Sequence, residues 1–393
     1  MSGSRKISRR DILIHGGITA AGLAILPSHV LAQLARLGQD ETPVAWSDDL
    51  SRPLNPDFPL LQWDELDSWI TPANQTLKTD HYPDPEIDMS TYKLEITGAV
   101  RNSLSYTLDD IKAMPKKDIA FTLECSGNRG IRGFRGGVYN AKWTGTPLAD
   151  ILQKAGMLDS GIEVVFFGHD EGEEVMRPLR GKEVTVKQNF ARSLTIDQSK
   201  DPDVLIAYNV NDQPLPPGHG YPLRLIVPGW YGISQVKWLK RIEVRTSRYM
   251  GRFISRDYVT LREEIHNGET VWRQVSVGKG RINSTPARVT RVGPTYRIYG
   301  AAWGVPIKEV QVRIDDGAWQ TAEIIQGRDA KYAWKFWRLD WDRPSSGEHT
   351  ITSRAISASG TVQPAPDDPF LKRKHTYWEA NGQVTRKIQT VSG

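Results

Sequence analysis

A single cysteine, Cys125, stands in a chain of 393 residues, within the stretch FTLECSGNRG from Phe121 to Gly130. A thiol in such a place can be core filler, a nucleophile or a metal ligand, and each role needs different surroundings. Free cysteines are among the most buried residues and pack as small hydrophobes. A nucleophile needs a histidine or a helix N-terminus at its side to hold the thiolate. Spacing along the chain does not put His81, His169 or His219 beside the sulfur. The Ser126-Gly127-Asn128 that follows is turn chemistry, so the thiol falls where an apolar strand ends and the backbone folds sharply. Strand ends are where ligands meet a core.

A second cluster is PPGHGYPLRLIVPGWYGISQVKWLKRIEV, Pro216 to Val244. It sets His219, Arg224 and Lys237 on Gly- and Pro-bounded loops around the apolar strand Leu225 to Val227, and Gly229 and Gly232 let backbone approach a ligand closely. Cations beside bare backbone N–H groups suit a phosphate, and they also suit plain solvated loops. No G-x-G-x-x-G or Walker loop is present, which disfavours nicotinamide and ATP chemistry. One cysteine leaves no intramolecular disulfide, no Cys-rich zinc or iron–sulfur site and no C-x-x-C-H haem attachment. Any metal must therefore rest on few protein ligands.

The elements that would position these residues follow from pattern. STYKLEITGAV alternates as a half-buried strand, and YTLDDIKAMP carries a Thr N-cap and a Pro stop, as a short helix does. TGTPLADILQKAGM repeats the helix signal, opened by Thr146-Pro147 and closed by Gly156, while IEVVFFGHD and DVLIAYNVN read as buried strands. The mixture gives an α+β core over 89–274. Before it, 33–88 is rich in Pro, Asp, Asn and Trp and reads as an extended N-terminal arm packed over a domain. After it, 275–393 holds short alternating segments separated by Gly, Pro and Asp-Gly turns, which favours a β-sandwich with Trp319, Trp334, Trp337 and Trp341 in its core.

Residues 1–32 have a basic start, about fifteen apolar residues from Ile12 to Leu26 and a small-residue end at Val30-Leu31-Ala32. That is an export signal, too short to span a bilayer, and Ser8-Arg9-Arg10-Asp11-Ile12-Leu13 resembles the twin-arginine type. The expectation is a periplasmic protein exported folded, with no transmembrane segment in the mature chain. Arg5, Lys6, Arg9 and Arg10 against Asp11 account for three of the five formal positive charges, so the mature chain is near +2. No long basic run remains, and nucleic acid is excluded as an expected partner.

FTLECSGNRG, WTGTPLADIL, HGYPLRLIVPGWYG and VKWLKRIEV, in that order and interval, resemble the sulfite oxidase family of molybdenum enzymes from about Thr71 onward. The resemblance implies a molybdopterin-binding catalytic domain followed by an immunoglobulin-like dimerisation domain, hence a homodimer. It implies Cys125 as the protein ligand to molybdenum, the remaining sulfurs coming from molybdopterin; thiolate is a soft donor suited to such a centre. His81 and Tyr82 in TDHYPDP, Asp170 in FFGHDEG, His219, Arg224, Ser234, Gln235, Val236 and Lys237 match cofactor-binding positions. Tyr258 in SRDYVT matches the family's active-site tyrosine.

Two departures bear on the substrate. The family's sulfite oxidases carry an arginine two residues before that first histidine and another five after the cysteine; here stand Thr79 and Gly130. Arg129, Arg132 or Arg135 and, from LKRKH, Arg373 are the candidate substitutes, with Arg129 and Arg373 expected at the substrate. The resemblance implies oxidation of sulfite, a small anion, to sulfate. A cytochrome c or haem c subunit would take the electrons, since this chain holds no haem motif. The alternatives are a sulfane dehydrogenase subunit of thiosulfate oxidation, a methionine sulfoxide reductase, and an exported binding module with a dead cofactor site.

Overall fold

The alternation in STYKLEITGAV becomes a strand whose Leu94 and Ile96 are fully buried while Glu95 is exposed, as in a sheet with one face on a core. The computed structural model describes residues 41–48, 60–177 and 180–391, so the expected export signal at 1–32 lies outside the described residues. Among the described residues no helix is long and apolar enough to cross a membrane. Strands dominate and helices are few and short, in an α+β arrangement.

The described chain begins with β1 (Thr42–Val44), then β2 (Leu94–Gly98), β3 (Leu104–Tyr106), β4 (Lys117–Glu124), β5 (Val138–Pro147) and β6 (Glu163–Met176). There follow β7 (Val184–Thr195), β8 (Leu205–Val210), β9 (Gln213–Pro214), β10 (Arg224–Ile226) and β11 (Leu239–Arg245). Two sheets form the catalytic half: one ordered β3-β2-β11-β6-β7, the other β10-β8-β5-β4 with β9 added to β8. Only β2 and β11 pair in parallel within them.

The two expected helices are present. Thr107 caps Leu108–Lys112 in a capping box with Asp110. Leu148–Ala155 buries Leu148, Ile151, Leu152 and Ala155, a single helical face, and Gly156 ends it with φ 67°.

The second half opens with a hairpin, β12 (Val259–His266) and β13 (Glu269–Ser276). Next come β14 (Asn283–Val292), β15 (Thr295–Trp303), β16 (Ile307–Ile314), β17 (Gln320–Thr321), β18 (Glu323–Gln326), β19 (Lys335–Asp342), β20 (Gly347–Ser357) and β21 (Val384–Thr390). They form a sandwich of β1-β14-β15-β19-β18 over β17-β16-β20-β21, with Val289, Ile298, Val312, Trp337, Ile351 and Ile388 buried between the sheets.

The tryptophans divide differently from expectation. Trp337 lies in the sandwich core, but Trp334 is buried in the apolar layer between the two halves, with Trp63, Val138 and Trp303. Trp319 is covered by the guanidinium groups of Arg313 and Arg354, 4.9 and 4.0 Å from its ring, which snorkel across its faces. The described part of the arm also does more than lie over one domain: β1 adds to the sandwich, 61–66 fills the layer between the halves, and 77–81 reaches the site.

Candidate active site

The sheets of the catalytic half converge on a cleft of about 680 Å³. β4 delivers Leu123 and, just past its end, Cys125; β5 delivers Tyr139, β6 Asp170 and β7 Phe190. The Pro216–Val244 segment supplies His219, Arg224, Ile233, Gln235 and Lys237, the arm supplies residues 77–81, and Tyr258 comes from the entry to β12.

The cysteine loop is fixed by its own polar groups. Cys125 N–H donates to Gly137 O at 2.8 Å, and Asn128 N–H to Cys125 O at 2.9 Å. The Glu124 carboxylate, buried in the layer between the halves, accepts from Asn128 Nδ2 (2.8 Å), Asn283 Nδ2 (3.1 Å) and Trp303 Nε1 (2.9 Å). The loop that carries the thiol is thereby tied to the second half of the molecule.

The structure brings His81, Cys125, Asp170, His219, Arg224, Gln235, Lys237 and Tyr258 into one cleft. Tyr82, Ser234 and Val236 lie buried in the surrounding core. Arg129 and Arg373 are not among the lining residues. Arg129 adopts φ 61° and directs its guanidinium to the Asn283 side chain and to the carbonyls of Ala380 (3.2 Å) and Gly382 (3.3 Å). Its partners are neutral groups of the second half, and they leave its charge to answer the buried Glu124. Arg373 caps the short helix Pro369–Lys372 and is exposed, its carbonyl accepting from Glu263 N–H at 2.9 Å. Arg132 and Arg135 are exposed as well. Sequence reasoning missed Leu77, Lys78, Asp80, Tyr139, Phe190 and Ile233, which enter from separate elements and share no motif with the cysteine; Thr79, named above for its lost arginine, lines the cleft too.

The electrostatics narrow the role of the thiol. Desolvation pushes Cys125 up to about 11, with the Gly127 and Asn128 amides pulling weakly the other way. Such a thiol is a poor nucleophile near neutrality, whereas a bound metal cation would deprotonate it outright. Among the described residues no group of three or more His, Cys, Asp or Glu side chains could hold a metal ion. A metal here would rest on Cys125 and a non-protein ligand.

His81 is packed among Phe190, Phe253 and Tyr258. Desolvation in that box pushes it down to about 4, so the ring is neutral and its Nε2, 2.6 Å from Tyr258 Oη, accepts a hydrogen bond from the phenol. Burial raises Tyr258 in turn. His219 is likewise pushed down to about 4 by desolvation and by Arg224, whose guanidinium donates to His219 O at 3.1 Å. Gln235 braces its loop, accepting from Val227 N–H (2.6 Å) and donating back to Val227 O (3.0 Å).

Several buried polar atoms around this cleft have no protein partner: Ser126 Oγ, Asp170 Oδ1, Arg224 Nε and Ser234 Oγ. An unpaired buried polar atom costs about 1–3 kcal/mol, and four around one cleft fit a polar ligand with many donors and acceptors. Asp170, pushed up to about 7 by burial, can present a carboxyl proton to such a ligand. A pterin has that character. Molybdopterin therefore fits: Cys125 would hold its metal, Asp170, Ser126 and Ser234 would meet its ring edges, and Arg224, His219 and Lys237 its anionic end.

Comparison with known proteins agrees. Residues 81–253 match the oxidoreductase molybdopterin binding domain, and residues 281–384 the Mo-co oxidoreductase dimerisation domain. The chain is 30% identical to the mitochondrial sulfite oxidase of Mus musculus over 76% of its own length and 58% of the relative's. It is 27% identical to the sulfite oxidase of Arabidopsis thaliana, covering 76% of this chain and 83% of that one. Thus the chain spans 58% of the length of the mammalian sulfite oxidases it matches. In fold it is similar to the sulfane dehydrogenase SoxCD from Paracoccus pantotrophus, with a TM-score of 0.70 at 24% identity over 96% of both chains. Two domain matches in the right order and a cleft built for a pterin around one cysteine lead to one conclusion: the chain belongs to the sulfite oxidase family of molybdopterin enzymes.

Proposed function

We propose that this protein oxidises a sulfur compound at the Cys125 cleft, with sulfite to sulfate as the leading reaction. The observation that carries the reading is the single thiol at the end of β4, facing a cleft whose buried polar atoms lack protein partners. Bound there, molybdenum held by molybdopterin supplies two-electron oxygen-atom transfer. The protein's own residues do the rest. Cys125 provides the thiolate, and the cysteine loop, tied through Glu124 to Asn283 and Trp303, fixes where that sulfur points. Tyr258 holds its hydroxyl toward the same end of the cleft, oriented by His81. Phe190, Leu123 and Ile233 keep bulk water from that end, which strengthens every dipole inside it.

Sulfite plus water gives sulfate, two protons and two electrons. With no haem attachment motif in the chain, the electrons go singly to an external acceptor, a cytochrome c or a haem c subunit. The N-terminal signal supports a periplasmic location reached by the twin-arginine route, and the dimerisation-domain match supports a homodimer. The test is growth of sulfate from sulfite with ferricyanide or cytochrome c, on protein whose molybdenum has been measured. Sulfate formation supports the reading; molybdenum-replete protein inert to sulfite overturns the sulfite assignment.

A second reading, oxidation of sulfane sulfur or reduction of methionine sulfoxide, is favoured by one observation. At Gly130, where the family's sulfite oxidases place an arginine, a Cβ would stand 2.8 Å from the carbonyl carbon of Tyr377 and closer still to its oxygen. Molybdenum-replete protein that is silent with sulfite and active with one of those substrates would select this reading.

A further inference from the structure

Residues two apart share a face of a strand, so on β7 Arg192 follows Phe190 one step further along the face that meets the cleft. It is 2% exposed, and burial draws its pKa down only to about 10, which leaves it charged near neutrality. Among the described residues no carboxylate is paired with it. A buried, unpaired guanidinium is costly, and an apolar side chain of similar volume would serve a core position at least as well. What Arg192 holds instead is backbone. One arm of its fork donates to Phe253 O, in the short helix Arg252–Ser255. The other donates to Val277 O and reaches Ser276 Oγ at 3.4 Å, at the end of β13. Its Nε has no partner.

Both arms lead to Tyr258. Val277 N–H donates to Tyr258 O at 2.8 Å across the base of the β12–β13 hairpin, so the carbonyl that Arg192 holds belongs to the residue anchoring the tyrosine backbone. Phe253, 3% exposed, sets its ring 4.7 Å from His81, 4.8 Å from Phe190 and 6.5 Å from the phenol. His81 in turn accepts from the Tyr258 hydroxyl at 2.6 Å. One face of the phenol is covered by Trp378, ring centroids 4.3 Å apart and planes 28° from parallel. Backbone, hydroxyl and ring of Tyr258 are each fixed, the first two through contacts that Arg192 braces. Its charge acts in the same sense. Desolvation dominates at both groups, but the Arg192 charge adds to the fall at His81 and opposes the rise at Tyr258, so it favours a neutral imidazole accepting from the phenol.

We propose that Arg192 is a positioning residue for the reaction, a fork that clamps the segments before and after Tyr258 to β7 and so fixes where the phenol hydroxyl points in the cleft. The inference rests on the sulfur-oxidation reading above for what that hydroxyl acts on, and adds to it the residue that aims it. Arg192 itself takes part in no bond-making step; it acts through Val277 and Tyr258 on one side and through Phe253 and His81 on the other.

The test is a double-mutant cycle on molybdenum-loaded protein, with sulfite as substrate and ferricyanide as acceptor. Arg192→Met, which keeps much of the volume and removes the fork, is expected to lower kcat about tenfold or more while KM moves by less than about threefold, because misplacing a group at the reacting centre costs rate. In the Tyr258→Phe background the same substitution should cost less than about twofold, the hydroxyl it positions being gone. A readout independent of turnover is the nitrogen-15 NMR shift of the His81 imidazole, assigned by its loss in His81→Gln. In Arg192→Met that shift should move toward its value in Tyr258→Phe. Should the methionine variant not fold, Arg192→Lys keeps the charge without the fork and should show both effects. Equal losses in the two backgrounds, or a His81 signal that does not move, overturn the inference and leave sulfur oxidation standing. Molybdenum-replete wild-type protein inert to sulfite overturns the sulfite assignment, and the His81 shift then decides the clamp by itself.

Discussion

Cys125 illustrates how one side chain is assigned by what surrounds it. Its thiol is held protonated by desolvation and has no histidine partner, so its chemistry waits on a cation. Cys125→Ala is accordingly expected to bring turnover to background and to lower bound molybdenum, with circular dichroism and thermal melting close to wild type; near-normal activity would refute the assignment. The residues legible in the sequence, Cys125, His219, Arg224, Lys237 and Tyr258, sit in short contiguous motifs whose spacing survives reading along the chain. Arg129 did not yield to that reading because its position is decided by Asn283, 154 residues away. Trp378 was invisible for the same reason, since only folding stacks it on Tyr258.

Elements were legible where local chemistry decides them. The capping box at Thr107 and the Gly156 stop mark their helices without help from tertiary structure. Residues 373–381, by contrast, have no period; one β-bridge to β12, Lys374 with Arg262, and long-range hydrogen bonds define their course. Gly130→Ala tests their rigidity. The added methyl group must displace the Tyr377 backbone, so a loss of about 1–3 kcal/mol is expected, within the range for overpacking. Gly268→Ala, at the β12–β13 turn with φ 83° and open space around its Cβ, is the control. It should cost only its backbone strain, about 1–2 kcal/mol. Thermal melts compare the two, and hydrogen exchange of the amides of residues 373–381 should speed up in Gly130→Ala while Gly268→Ala leaves it unchanged.

Across the whole molecule the halves are joined by an apolar layer and by Asp203. That carboxylate accepts from Lys117 Nζ (2.5 Å) in the catalytic half and from Lys331 Nζ (2.6 Å) and Tyr332 Oη (2.7 Å) in the sandwich half. Burial raises its pKa, but these three donors outweigh burial and hold it far below the ordinary carboxylate range. A folded-state pKa lowered in this way contributes stability that is present above the unfolded value of about 3.9 and is lost as pH falls below it. Unfolding midpoints are therefore expected to drop below about pH 4. In Asp203→Asn that drop should be smaller and the midpoint at neutral pH lower; an unaltered acid limb would show that the contact carries no such coupling. The two-part organisation was readable from the change in texture after the catalytic half. The layer between the parts was not, because Trp63, Trp303 and Trp334 meet only across them.

The pairing of β1 with β14 sets a timetable for biogenesis. Thr42 is the register partner of Arg291, about 250 residues further along. At roughly 5–20 residues per second, a ribosome needs on the order of 10 to 50 s to deliver that partner. Until then β1 must wait unpaired, and the sandwich it joins closes only once β21 has been made as well.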